Sequence, residues 1–324
     1  MTVSPGISRP TNTSQNLDLQ CPICDAPFLR CDADKETIPK LKCTDCRHIV
    51  LNEDGFWDAR PSKDVHAEFS KLWTLYEQGK FGDQPKMTPE TDRALLIGLL
   101  EKLGMQPEEL ADLKILDVGY GSGRLLQELQ KYSPAAYGID LGKPLLSSQL
   151  NRENIFIGDL HNCPFKAGQF DIVVCKGVIQ HTEDPFRSLS SIGDNVSDGG
   201  KIYLETFEKG MRKTRLLRKL LPFTWRYPDR IRLFVAGLAS TIIAMFKTVP
   251  ELKNGFAAAL KELGRYRLNY MLWIFDDLCC RWSHSLHVDE IMSWFRKKGF
   301  VATRLGPGRY VGVKYPSPGH EEST

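Results

Sequence analysis

Residues 114–129 read KILDVGYGSGRLLQEL, and this stretch decides the fold. Lys114 to Val118 is a short apolar run of the buried parallel-strand kind, Gly119, Gly121 and Gly123 follow it, and Leu125, Leu126 and Leu129 then recur at the spacing of a helix. A strand, a glycine turn and a helix in that order let the backbone approach a ligand closely and turn free N–H groups of the helix amino terminus toward it. Dinucleotides use such turns too. Their GxGxxG pattern, however, needs a third small residue at 124, where this chain has Arg124. Asp117, two positions ahead of the first glycine, makes the pattern DxGxGxG instead.

That text resembles motif I of the class I S-adenosylmethionine-dependent methyltransferases, in which the acidic residue and the glycines bracket the methionine part of the cofactor. The resemblance implies a cofactor site at Asp117, Gly119, Tyr120, Gly121 and Gly123, with Tyr120 standing where the family usually has a small residue. Downstream, AAYGID reads as a strand ending in Asp140, the position that takes both ribose hydroxyls, with Leu141 next to it. NIFIGDL reads as a third strand whose Asp159 and Leu160 match the family residues beside the adenine. CPFKAGQFDIVVCKGVIQHTEDP resembles the family's fourth-strand region, and Val174, Cys175, Lys176 and His181 are expected to face the crevice at the carboxyl ends of the strands. Lys176 completes the implied cofactor set. Cys175 is read as a wall residue, since methyl transfer from a sulfonium needs no thiol nucleophile. With KIYLET, FVATRL and YVGVKY the expected fold is an α/β, Rossmann-like, seven-stranded doubly wound sheet whose last two strands form a reversed hairpin. The resemblance covers residues 90–206 and 287–315.

Ahead of this core, Cys21 and Cys24 form one CxxC and Cys43 and Cys46 a second, at the spacing of a four-cysteine zinc site. A tetrahedral ion closed by four thiolates substitutes for the hydrophobic core that so short a segment cannot build, and it leaves no open position for water or substrate. Cys31 and His48 complete no further pair and are read as non-ligands. The module resembles the ribbon family that includes the activator subunit of tRNA and release-factor methyltransferases, through CPIC, CTDC and IVLNEDGFWDARP. From Leu17 to Arg60 nine acidic residues face six basic ones, which argues against a phosphate-binding surface.

The expected organisation is an arm at 1–16, the ribbon at 17–62, the first part of the core at 63–206, a helical substrate lid at 207–286, and the last part of the core with a tail at 287–324. The arm lacks the apolar core of a secretory signal, and the two CxxC pairs suit a reducing compartment, so a cytoplasmic protein is expected. Phe69, Trp73 and Tyr76 lie at helical spacing, either closing over the cofactor or packing on the core. The longest apolar stretch, Leu233–Phe246, is shorter than a bilayer span and reads as a buried helix. The cations Lys209, Arg212, Lys213, Arg215, Arg218 and Lys219 interleave with leucines, so the 209–221 segment suits a peripheral membrane contact, an acidic substrate or carrier, or merely a solvated face. WIFDDLCCRWSHSLHVDEIMSWF resembles methyltransferases of small molecules and secondary metabolites, with Asp276 and His287 at the matching places.

Three functions follow as expectations. The first is methylation of a small, hydrophobic metabolite on O, N or C, with His181 and then His287 as candidate bases and His284 as a weaker third. The second is RNA methylation, because ribosomal guanine methyltransferases also join a zinc ribbon to this fold, although the acidic ribbon counts against nucleic acid. The third is a non-catalytic binding protein that keeps the fold. Oligomeric state stays open.

Overall fold

The computed structural model describes residues 17–31, 40–61, 88–143, 149–210, 219–221, 223–250 and 256–315. The expected arm, the aromatic segment with Phe69, Trp73 and Tyr76, and most of the basic 209–221 stretch lie outside the described residues.

Ile115–Val118 (β5) is buried at every position, as a strand covered on both faces must be. It pairs in parallel with Ala136–Asp140 (β6) on one side and Phe170–Lys176 (β8) on the other. Ile155–Ile157 (β7) continues beyond β6, and Val196–Glu205 (β9) beyond β8, all parallel. Arg309–Lys314 (β11) then runs antiparallel to β9, and Phe300–Gly306 (β10) antiparallel to β11, which is the reversed hairpin. The chain moves outward from β5 in one direction and then returns to its other side. Ligands bind at such a switch point, outside the carboxyl ends of the strands.

The helices follow from local signals. Thr88 and Thr91 exchange backbone-to-hydroxyl bonds at 3.1 and 3.3 Å, opening Pro89–Leu103 (α1), and Gly104 at φ 64° ends it. Arg124 at the start of Arg124–Tyr132 (α2) pairs with Asp92 and reaches the Thr91 hydroxyl at 2.7 Å, fastening α1 beside the glycine turn. Asp184 caps Pro185–Asp194 (α3) through the amides of Phe186 and Arg187. Val288–Lys297 (α6) buries Ile291, Trp294 and Phe295 against the hairpin, where the bare Cα of Gly312 leaves room for the Phe295 ring.

The ribbon strands Phe28–Cys31 (β1), Lys40–Cys43 (β2), Ile49–Glu53 (β3) and Phe56–Asp58 (β4) form an antiparallel set. They do not stand apart from the core. β4 pairs in parallel with β7 through Trp57 with Phe156 and Asp58 with Ile157, giving one continuous sheet of eleven strands. β7 would otherwise be an open edge, and β4 covers its unpaired groups. Trp57 donates to the Glu153 carbonyl at 3.1 Å, and the ribbon's entrance is tied down by Gln20 to Pro164 and by Lys166 to Asp18.

Between β9 and α6 the chain leaves the sheet to form Asp229–Thr248 (α4) and Phe256–Cys279 (α5), which pack on each other. The two ends of this excursion are stitched together by Lys209 to Leu286 and Leu286 to Phe207 amide bonds at 2.9 and 2.8 Å. The stretch expected to be a buried helix is buried along one side only: Arg232, Ala236, Ser240, Ala244 and Thr248 face inward at every fourth position with Leu233, Val235 and Ile243 partly covered beside them, while Ile231, Phe234, Leu238, Ile242, Met245 and Phe246 are exposed. Periodicity identifies an apolar helix without saying which of its faces finds a partner.

Trp57→Ala removes both the packing and the hydrogen bond that hold the ribbon on the edge of β7. The expected loss is about 3 kcal/mol, read from the midpoint of denaturant unfolding.

Candidate active site

The glycine turn is shaped by steric necessity. Gly119, at φ 71°, donates to the Ile139 carbonyl at 2.7 Å, and a Cβ there would lie 2.2 Å from Val178 Cγ2. No other residue fits. Tyr120 does not stand in the crevice: it is buried, its ring rests on Gly138, where a Cβ would come within 2.7 Å, and its hydroxyl donates to the Gly142 carbonyl at 2.6 Å. The unusual bulk at 120 therefore joins the glycine turn to the loop that leaves β6.

Two carboxylates sit at the ends of neighbouring strands. Asp140 accepts the Gly121 amide at 2.8 Å and the Gly142 amide at 3.3 Å, which orients it, and burial raises its affinity for a proton. Asp117 is buried, and one of its carboxylate oxygens has no hydrogen-bond partner in the protein. Burial first, and then the Asp140 charge, pushes its pKa up to about 7, with Lys176 pulling the other way. A buried acceptor left without a donor is costly unless a ligand supplies one. Two carboxylates here favour a ligand carrying positive charge and repel a pyrophosphate.

Further along the crevice, Asp159 ends the β7 segment and accepts the His161 amide at 3.0 Å, Leu160 is buried behind it, and Lys176 is exposed at the tip of β8. Cys175 is fully buried and its thiol is raised well above the ordinary range by that burial, so it is a wall and not a nucleophile. A cavity of about 250 Å³ lies past Leu141, Gly142 and Lys143, and its opposite wall comes from the ribbon: Phe56, Asp58 and Arg60. Arg60 grips Asp58 with two bonds at 2.9 and 2.6 Å. Sequence reasoning misses these residues. The one signal that points to them is the FWDARP exit, whose partner strand is remote in the chain.

On the other side of the glycine turn, His181 follows β8, and its ring meets Phe207 edge to face. Its Nδ1 lies 3.4 Å from the Trp282 carbonyl. A carbonyl only accepts, so this contact is a hydrogen bond when Nδ1 carries the proton. The His284 amide donates to the Gln180 carbonyl at 2.8 Å, so the segment after α5 crosses directly over the turn that holds His181. His287 is placed differently: it is exposed at the start of α6, its amide donates to Glu290 at 3.0 Å, and its Nε2 meets the Lys209 ammonium. Glu208, gripped by Arg304 and Tyr310 and held down at about 2, anchors this root of the excursion.

The four cysteines converge. Their sulfurs all lie within 4.8 Å of one another, with Cys21 to Cys46 and Cys24 to Cys43 each at 3.5 Å. Thiolates on a tetrahedral ion at about 2.3 Å would stand roughly 3.8 Å apart, so the cluster is sized for one. Each CxxC turn closes on a left-handed residue, Asp25 and Arg47. Among the described residues no other group of this kind gathers.

Known proteins are similar to this chain in part. The ubiquinone biosynthesis O-methyltransferase of Acinetobacter baumannii is 30% identical over 109 residues, 31% of this chain and 46% of that protein. The corresponding enzyme of Coxiella burnetii is 27% identical over 105 residues, 30% of this chain and 45% of that protein. The chain thus spans just under half the length of these relatives. Among solved structures, a magnesium protoporphyrin IX methyltransferase from Synechocystis with bound SAH is 15% identical, covers 75% of this chain and 94% of its own, and has a TM-score of 0.40. A putative S-adenosylmethionine-dependent methyltransferase from Methanococcus maripaludis is 16% identical, covers 79% and 98%, and has a TM-score of 0.42. A family profile described as a methyltransferase domain matches residues 89–305, well over half of the sequence, and the chain belongs to that family, the S-adenosylmethionine-dependent methyltransferases.

Proposed function

We propose that the protein transfers a methyl group from S-adenosylmethionine to a small, hydrophobic metabolite. The observation that carries the cofactor part is the unpartnered, buried oxygen of Asp117 beside Asp140, at the tip of a glycine turn that admits no side chain at 119. When bound, this cofactor supplies an electrophilic methyl group on a positively charged sulfonium. Asp117 would accept from its ammonium group, Asp140 from its ribose hydroxyls, and Asp159 with Leu141 and Leu160 would border the adenine. Tyr120 and the amides of Gly121 and Gly142 hold Asp140 in place for that contact.

The acceptor side is supported by what covers the crevice. Phe207, Trp282 and the rings of His181 and His284 form an aromatic roof over the strand ends, which suits a flat or apolar substrate better than a long polyanion. In-line transfer needs alignment and exclusion of water more than covalent help. His181, with Nε2 basic when Nδ1 carries the proton, is the group positioned to take a proton from a hydroxyl or carbon acid. His287 lies exposed at the start of α6, outside this aromatic cluster, which ranks it behind His181.

The assignment of substrate class is tested by incubating the protein and labelled cofactor with a cell extract and separating RNA, protein and small molecules. Label is expected in organic-soluble small molecules, and label confined to RNA overturns the reading. For the cofactor site, proton loss from Asp117 should accompany binding of the cation. Affinity measured by calorimetry is expected to be constant above about pH 7 and to fall toward tenfold per pH unit below it. Asp117→Asn should weaken binding at least about tenfold and flatten that dependence. Finally, the cysteine cluster is proposed to hold structural zinc. The purified chain is expected to contain about one zinc ion per molecule, and Cys43→Ser should lose it together with several kcal/mol of stability.

A further inference from the structure

Residues 207–286 carry fifteen Lys and Arg against six Asp and Glu, a surplus of nine in a chain whose whole surplus is three. Cations stand at the two ends of an apolar surface on α4, Arg226 and Arg230 at one and Lys247 at the other. On α4, Ile231, Phe234, Leu238, Ile242 and Met245 recur at intervals of three and four residues and form one stripe, with Phe246 beside it. Phe234 is 71% exposed and Phe246 78%. This stripe lies on the side of the helix opposite Ala236, Ser240 and Ala244, which pack inward, so the core satisfies one face and leaves the other bare. Between Arg232 and Lys247 the helix bears no charged residue. Among the described residues from 219 to 267, the exposed ionised side chains are Lys219, Arg226, Arg230, Lys247, Lys261 and Arg267, every one a cation. Asp229 is half-buried and paired with Arg232. At the amino-terminal end of α4, Arg226 lies over the Trp225 ring at 4.7 Å, an aromatic and a base together in the manner of residues at a membrane boundary.

We infer that the exposed face of α4 docks on an anionic lipid bilayer, lying in the headgroup boundary with its apolar stripe turned toward the acyl chains. An uncharged stripe with cations at its two ends is complementary to such a surface in both hydrophobicity and charge. A second copy of the chain is a poorer occupant, because a self-complementary interface would bring two sets of six cations together. A membrane-spanning arrangement is poorer too. The inner side of α4 holds Arg232, Ser240 and Thr248 against α5, and α5 exposes Lys261 and Arg267. Docking here has a consequence for the crevice. The α5 helix ends at Cys279, and the chain from Arg281 to Leu286 then crosses His181 and Gln180, so the lipid-facing pair of helices is rooted at the proposed acceptor site. The membrane contact itself does not depend on which acceptor is methylated.

The test is co-sedimentation of the full chain with vesicles of phosphatidylcholine and phosphatidylglycerol in equal parts, and with vesicles of phosphatidylcholine alone. Binding to the anionic vesicles, at least about tenfold tighter than to the neutral ones and weakened by salt, is expected. Phe234→Glu combined with Leu238→Glu changes only solvent-facing positions. It should abolish sedimentation while circular dichroism and calorimetric affinity for S-adenosylmethionine stay as in the parent. Arg226→Glu with Arg230→Glu should remove most of the preference for anionic vesicles. The inference is overturned if the parent chain ignores both vesicle types, if the Phe234 and Leu238 variant sediments like the parent, or if the bound protein resists an alkaline carbonate wash as a spanning helix does. It is equally overturned if ultracentrifugation shows a dimer that this variant dissociates and vesicles do not.

Discussion

A carboxylate buried without a full set of partners is the constraint around which this molecule is organised. Asp117 stands on the central strand of the sheet, enclosed by apolar neighbours and close enough to Asp140 for the two charges to repel. A fold tolerates such a group only where it does work on a ligand, because an apolar residue would stabilise the strand better. Everything nearby serves to keep this ligand-facing corner open and correctly shaped. The glycine at 119 keeps a side chain from meeting Val178, Tyr120 ties the turn to the loop after β6, and Arg124 ties α2 to α1.

The ribbon has a different relation to the core from that of a module on a string. Its last strand is a strand of the catalytic sheet, and its Phe56, Asp58 and Arg60 form a wall of the cavity beside Leu141 to Lys143. Two short elements stabilise each other in this arrangement: β7 gains cover for its edge, and the ribbon gains a hydrophobic neighbour through Trp57. The cysteine cluster lies at the far end of the same segment, so sulfur cluster, strand pairing and cavity wall are linked by a few residues of backbone.

The excursion formed by α4 and α5 shows the opposite economy. Its root is fixed by Glu208, Arg304, Tyr310 and the backbone bonds between Phe207, Lys209 and Leu286, while its outer face is left apolar and exposed. Contiguous exposed apolar stripes are uncommon on proteins in water and mark surfaces where another molecule binds. Phe207 and Trp282, which meet His181, belong to the same excursion, so the turn after β8 and the outer surface are joined in one structural unit.

The sequence by itself determined the features that depend on local geometry. The strand, glycine turn and helix of residues 114–129 are legible because each signal lies within one or two turns of chain, and the succession of seven core strands along the chain was read from motif text. The gathering of Cys21, Cys24, Cys43 and Cys46 was legible for the same reason: two tight turns can each present a pair of sulfurs without help from the rest of the fold. Only the tertiary structure decided where β4 would pair, since its contact with β7 spans about a hundred residues of sequence and rests on two residue pairs. It decided the orientation of Tyr120, which turns on the empty space above Gly138. It also decided which side of α4 meets water, because a helix with apolar residues on two faces carries no mark in its sequence of the one that its neighbour will bury.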